Sequence, residues 1–187
     1  MSYGMSRQEA LELVTSTLEN PNLIKHCLAT EAVMRVLAER FNADPEKWGL
    51  AGLLHDLDAE TQPDLTIHTK ETEEILRSRG VDNEIIEAIG MHNETARGRK
   101  RSSTFEHALA AGETITGLIV ATALVYPDKK LASVKAKSVR KRINEKAFAA
   151  GANRDIIREC ELIGIPIDEF CGICLEAMQG ISEELGL

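Results

Sequence analysis

Trp48-Gly49-Leu50-Ala51-Gly52-Leu53-Leu54-His55-Asp56 is the stretch that decides the fold. Its first seven residues are apolar all round, so the segment reads as a buried helix, which needs other elements packed about it. Asp44-Pro45 starts it, because proline is tolerated in the first turn after an N-cap. The helix ends on a histidine and an aspartate side by side. Both can turn inward there, because the last turn no longer demands helical spacing.

Outward from this segment the signals remain helical. Upstream, Ser6 and Glu9 form a capping box that opens a helix to about Glu19, and the Asn20-Pro21-Asn22 turn stops it. A second helix is predicted from about Leu23 to Phe41, with the stripe Leu23, Cys27, Met34, Leu37, Ala38 and Phe41, and with His26 at its edge. Downstream, a loop through Pro63 leads to a helix from about Thr69 to Arg79, ended by Gly80. Asp82 caps the next, which runs to about His92. His68 shares a face with Thr72 and Ile75, and His92 shares one with Ile85 and Ile89.

The polar, basic stretch Ala96 to Ser103 is expected to be an exposed loop. A long helix follows from about Thr104 to Val125, ended by Pro127. Shorter helices are predicted within 131 to 164, and a final helix after Pro166 to Leu187. No strand alternation, internal repeat or linker stands out. The expectation is one all-α domain over residues 1–187, with a core near 23–125 and C-terminal helices of 131–187 packed on it.

Composition narrows the function. A net charge of -8 opposes general nucleic-acid binding, which needs a basic surface to displace counterions from phosphates. No uninterrupted apolar stretch reaches membrane-spanning length, and the N-terminus lacks a signal-peptide layout, so the expectation is a cytoplasmic protein with no membrane partner. Cys27, Cys160, Cys171 and Cys174 are not spaced as a disulfide framework, which agrees with a reducing compartment. Cys171 and Cys174 lie in a predicted amphipathic helix and read as core, as does Cys27.

The chemistry gathers elsewhere. Glu113 is the only charged residue between Ala108 and Val125, on a face shared with Leu109, Gly117 and Val120. A carboxylate there must be paired, protonated or bound to a cation. Of five histidines, four fall at inner faces or ends of apolar helices: His26, His55, His68 and His92. A helical core ringed by imidazoles and carboxylates is how bundles assemble metal sites. Asp56, beside His55, is placed to bridge two cations or to hold one. His107 stands six residues before Glu113 and points elsewhere on its helix.

Two basic segments remain. Arg97, Arg99, Lys100 and Arg101 lie between two helices that carry proposed ligands, where they would attract phosphate. The span from Lys129 to Lys146 holds eight further Lys or Arg around Ser138, and a run of this kind is as readily a solvated face. The first segment is the better candidate for a substrate contact.

In order and spacing, His26, the run Leu53-Leu54-His55-Asp56-Leu57-Asp58 and the later acid Glu113 resemble the HD-domain superfamily of metal-dependent phosphohydrolases. Beyond that core the chain resembles a compact prokaryotic subgroup described only as HD-domain hydrolases. The resemblance implies a single HD-type helical bundle and hydrolysis of a phosphate ester in a nucleotide or another small phosphorylated metabolite. It implies one or two divalent ions (Mn, Fe, Co, Ni, Zn or Mg) held by His26, His55, Asp56 and Glu113, with His68 and His92 serving a second ion. Asp56 and His55 would carry catalysis, with Asp56 orienting the water. Arg97, Arg99 and Arg101 would bind the substrate phosphate.

The family normally has Asp where this chain has Glu113, a methylene longer by about 1.5 Å, and the bare Gly112 is expected to offset it. Asn93 stands where some two-metal members carry a further histidine. Two alternatives follow from the same resemblance: a di-iron HD-type oxygenase, or a non-catalytic module that binds metal or ligand.

Overall fold

The computed structural model describes residues 3–187, all-α with no strand among them. Eleven α-helices follow one another: α1 Arg7–Thr17, α2 Pro21–Arg40, α3 Pro45–Leu54, α4 Lys70–Ser78, α5 Asn83–His92, α6 Glu94–Arg97, α7 Thr104–Leu124, α8 Ala136–Ile143, α9 Arg154–Ile157, α10 Ile167–Gln179 and α11 Ser182–Leu185. Short 3₁₀ turns at Leu131–Ser133 and Arg158–Glu161 complete the order.

Most ends are set by the residues that announce them. Ser6 and Glu9 close a capping box on α1, and Asp44 accepts from the backbone of Glu46 and Lys47 ahead of Pro45. The Asn20-Pro21 pair acts differently from the turn read in the sequence. Asn20 is the N-cap of α2 and Pro21 its first residue, so α2 begins two residues early, because proline at that position lacks only an N–H that would have no partner.

Three other expectations are corrected. Ala96 to Ser103 is not wholly exposed, because Arg97 ends a short helix and Arg101 is buried. The last helix is two, interrupted at Gly180 and Ile181. And α7, 21 residues, is long and apolar enough in composition to cross a membrane. Its apolarity is explained by burial, since 67% of its most apolar window lies inside the protein.

Helix α7 is the centre of the packing, touched by α2, α3, α5, α8, α9 and α10. The buried residues form one continuous cluster from Met5 to Leu185. Helix α3 is buried throughout from Trp48 to Leu54 and lies across α2 at very short range. A Cβ on Gly52 would sit 2.7 Å from the carbonyl oxygen of Thr30, so only glycine permits the crossing. That crossing brings the end of α3, and with it His55, up to His26 on α2.

Gly112 has a different role from the one expected. A Cβ there would meet Val33, Met34 and Leu37 of α2 at 3.2–3.5 Å. Its bareness lets α7 press on α2 and does not offset the length of Glu113. The four cysteines are buried and unpaired, and burial pushes the Cys27, Cys160, Cys171 and Cys174 thiols up, away from the reactive thiolate.

Candidate metal centre

Six side chains from five parts of the chain meet at one end of the α3 crossing. His26 comes from the second turn of α2, and His55 and Asp56 from the end of α3. His68 comes from the turn before α4, His92 from the last residue of α5, and Glu113 from the middle of α7. Among the described residues they form two groups that could each hold a cation. His26, His55 and Glu113 make one, and Asp56, His68 and His92 the other, with donor atoms within 4.8 Å of one another in each.

Asp56 faces both. Its Oδ2 lies 3.5 Å from His55 Nε2 and 3.6 Å from His26 Nε2. Its Oδ1 lies 3.2 Å from His68 Nε2 and 3.6 Å from His92 Nε2. One carboxylate thus spans the two groups. Burial opposes its ionisation, but the surrounding imidazoles hold Asp56 well below the usual carboxylate range.

The imidazoles are aimed by their other nitrogens. His55 Nδ1 donates to Gly52 O at 2.8 Å and His92 Nδ1 to Ile89 O at 2.7 Å. His26 Nδ1 lies 2.9 Å from the Thr116 hydroxyl, which itself donates to Glu113 O at 2.7 Å and so accepts from the imidazole. In these three rings the proton sits on Nδ1 and Nε2 presents a bare lone pair to the centre. Burial keeps them neutral: it lowers His26, brings His55 down to about 4 and brings His92 down to about 3.

His68 is different. Its Nε2 faces Asp56 and its Nδ1 lies 2.9 Å from Asp58 Oδ1, off the line of a good hydrogen bond. Burial works against charge, but the two carboxylates outweigh it and push His68 up to about 10.

Asp58 is the largest omission of the sequence reading. It is buried, and its Oδ2 accepts from the backbone N–H of Thr69 at 2.8 Å and of Thr72 at 3.3 Å. It thereby caps α4 from a distance and braces His68 together. The brace holds Thr69 at φ +88°, a strained left-handed conformation for a β-branched residue. The signal in the sequence was an acid in the run Leu57-Asp58-Ala59 with nothing beside it to pair with. Asn93 is no ligand, since its Nδ2 donates to Leu65 O at 2.7 Å and His68 O at 3.1 Å and so pins the chain that carries His68.

Glu113 turns its Oε2 to within 3.9 Å of His26 Nε2, and its Oε1 accepts from the Thr114 hydroxyl. Burial, with Asp56 nearby, raises it to about 8. A carboxylate pushed towards protonation beside bare imidazole lone pairs lacks positive charge, and a divalent cation would supply it. Histidine and carboxylate donors of this kind suit divalent transition metals. The residues fit the metal that their pattern implies.

The group opens to solvent through a cavity of about 570 Å³ over Asp56, His68, His92 and Glu113. The basic segment does not reach it as expected. Arg97 turns back over the bare Gly90 to pair with Glu73 and Glu87 at 3.0 and 2.8 Å, and Arg99 pairs with Glu87 and Glu106. Neither lines the cavity.

Arg101 does line it, but its donors are engaged. Nε and Nη2 grip Glu159 at 2.7 and 2.6 Å, and Nη1 donates to the carbonyls of Met91 and His92. It tethers the end of α5 that carries His92. His107, which is not among the six, completes this layer by contacting Glu159 at 2.7 Å. Lys100 is the remaining lysine or arginine on the rim, and it pairs with Glu94. The basic span from Lys129 to Lys146 lines neither this cavity nor the cleft beside His26.

A family model described as HD domain matches residues 23–141, from α2 into α8. No curated protein and no solved structure matches the chain.

Proposed function

The chain belongs to the HD-domain family, and on that premise we propose that it is a two-metal phosphohydrolase acting on the phosphate ester of a nucleotide or another small metabolite. The observation that carries the reading is Asp56, whose two oxygens face two separate donor groups, Oδ2 towards His26 and His55 and Oδ1 towards His68 and His92.

His26, His55 and Glu113 would hold one ion, His68 and His92 the other, and Asp56 would bridge them. Divalent ions so held lower the pKa of water and polarise phosphoryl oxygens. The protein's own part is to fix the donors. Gly52 O, Ile89 O and Thr116 Oγ1 keep three Nε2 lone pairs aimed at the centre, and Asp58 steadies His68. Thr114 holds Glu113 Oε1 and so leaves Oε2 turned towards the His26 side of the centre, at the edge of the cavity where a substrate would enter. With Arg97 and Arg99 paired elsewhere and Arg101 held by Glu159 and the carbonyls of Met91 and His92, the phosphate would be received chiefly by the centre itself.

A screen of nucleotides and sugar phosphates with Mn, Fe, Co, Ni, Zn and Mg tests the reading. Metal-dependent release of phosphate, abolished by Asp56→Ala, is the expected result. No hydrolysis from fully metal-loaded protein would refute it, and oxygen uptake by the iron-loaded protein would point to oxygenation instead.

A further inference from the structure

Beyond His26 and Glu113, adjoining the cavity over Asp56, lies an open cleft of about 620 Å³. The two share Leu65, Glu113, Asn153 and Ile156. The rest of its wall is largely the turn Ala149-Ala150-Gly151-Ala152. No Phe, Tyr or Trp lines either space. Phe148, next in sequence to the turn, instead lies against the Arg142 guanidinium, 4.2 Å from ring centre to Cζ.

Few polar side chains line the cleft, and part of their hydrogen-bonding capacity is turned back on the protein. The Thr114 hydroxyl lies within hydrogen-bond reach of both Ala110 O and Glu113 Oε1, which share its one proton. Asn153 Oδ1 accepts from the backbone of Asp155 and Ile156. A nucleobase placed here would find no ring to stack on and, beyond the Asn153 amide N–H, few partners for its polar edge.

The turn is also a built wall. Arg154 holds it from behind, Nη1 donating to the carbonyls of Ala149 and Ala152 at 2.7 and 2.5 Å, and Nη2 to those of Arg142, Glu145 and Phe148. These bonds fix Ala149 at φ +44°, a conformation that a residue with a Cβ adopts only under constraint. Small side chains on a pinned backbone leave a smooth apolar surface of fixed shape beside the metal ligands.

We infer that this cleft is the subsite for the non-phosphate half of the substrate, and that the group it takes is aliphatic, an alkyl phosphate ester in preference to a nucleotide. The inference rests on the phosphohydrolase reading and narrows it.

Calorimetry of metal-loaded protein with alkylphosphonates from methyl to hexyl tests the subsite without requiring turnover. Affinity should rise about fourfold for each methylene buried. Gly151→Leu should abolish that gain by filling the cleft. A Cβ at Gly151 meets nothing within 4 Å, so the variant can be accommodated, and its metal content reports that it folds. Affinity independent of chain length, no binding of any alkylphosphonate, or tighter binding of a nucleoside phosphonate than of hexylphosphonate would each overturn the inference. Chain-length dependence in a protein that hydrolyses no ester would uphold the subsite while refuting the hydrolase reading.

Discussion

The Nε2 atoms of His26 and His55 lie 3.1 Å apart, with the Nδ1 of each ring already engaged, at Thr116 and Gly52 respectively. Two neutral imidazoles cannot satisfy each other in that arrangement, since each offers a lone pair. A shared cation resolves the conflict. His26→Ala and His55→Ala should each lose one metal equivalent, and His68→Ala and His92→Ala the other. Asp56→Ala should lose most of both, because it touches the two groups. Loss of a ligand should cost at least the roughly 10–100-fold in affinity seen for outer-shell partners. Unchanged metal in these variants after dialysis, measured by elemental analysis, would refute the assignment.

Glu113 tests the unusual length of its side chain. Glu113→Gln should weaken metal binding, because an amide oxygen is an uncharged and poorer ligand. Glu113→Asp draws the carboxylate back by about 1.5 Å from an oxygen that is already 3.9 Å from His26 Nε2, so it too should bind metal more weakly. Titration at limiting metal checks both. Full occupancy in Glu113→Gln would show that the residue belongs only to the core.

How much of this was legible in the sequence varies with the kind of residue. Helices were readable because caps and breakers act locally, as at Ser6, Asp44, Asp82 and Gly80. The residues of the candidate centre were readable because His26, His55, His68, His92 and Glu113 are polar residues on apolar faces. What supports them was not, since Gly52 O, Ile89 O and Thr116 Oγ1 become partners only once the helices are packed. The arginines misled for a related reason. A basic run suggests phosphate, but Glu73, Glu87, Glu106 and Glu159 lie far enough away in sequence that their claim on Arg97, Arg99 and Arg101 could not be seen.

Arg101 and Glu159 make the next prediction one of pH. Burial disfavours the Glu159 carboxylate, but Arg101 and His107 outweigh it and hold its pKa below the usual value. A carboxyl more acidic in the folded than in the unfolded chain stabilises the fold above its unfolded pKa, and that contribution fades as pH falls through the folded one. Glu159→Gln should therefore destabilise the protein at pH 7 by about 2 kcal/mol, the scale of a hydrogen bond to a charged group. Urea unfolding should show the gap to the parent closing in acid, below the ordinary carboxylate range. A gap that stays the same size well below that range would contradict the pairing.

Gly52 and Gly117 should respond oppositely to alanine. At Gly52 the new methyl would meet Thr30 O at 2.7 Å, driving α3 off α2. Stability should fall by about 1–3 kcal/mol, and metal affinity should fall with it as His55 leaves His26. At Gly117, within α7, the methyl meets nothing within 4 Å, and stability should rise by up to about 1 kcal/mol from helix propensity. Thermal melts of the two variants check the pair, and a tolerated Gly52→Ala would deny that the close crossing positions the site.

The most direct measurement is electron paramagnetic resonance of the protein loaded with two equivalents of manganese. A carboxylate that bridges two ions through Asp56 Oδ1 and Oδ2 predicts the signal of an exchange-coupled Mn(II) pair, which Asp56→Asn should abolish. A spectrum of isolated Mn(II) ions alone, unaltered by Asp56→Asn, would contradict the bridged centre.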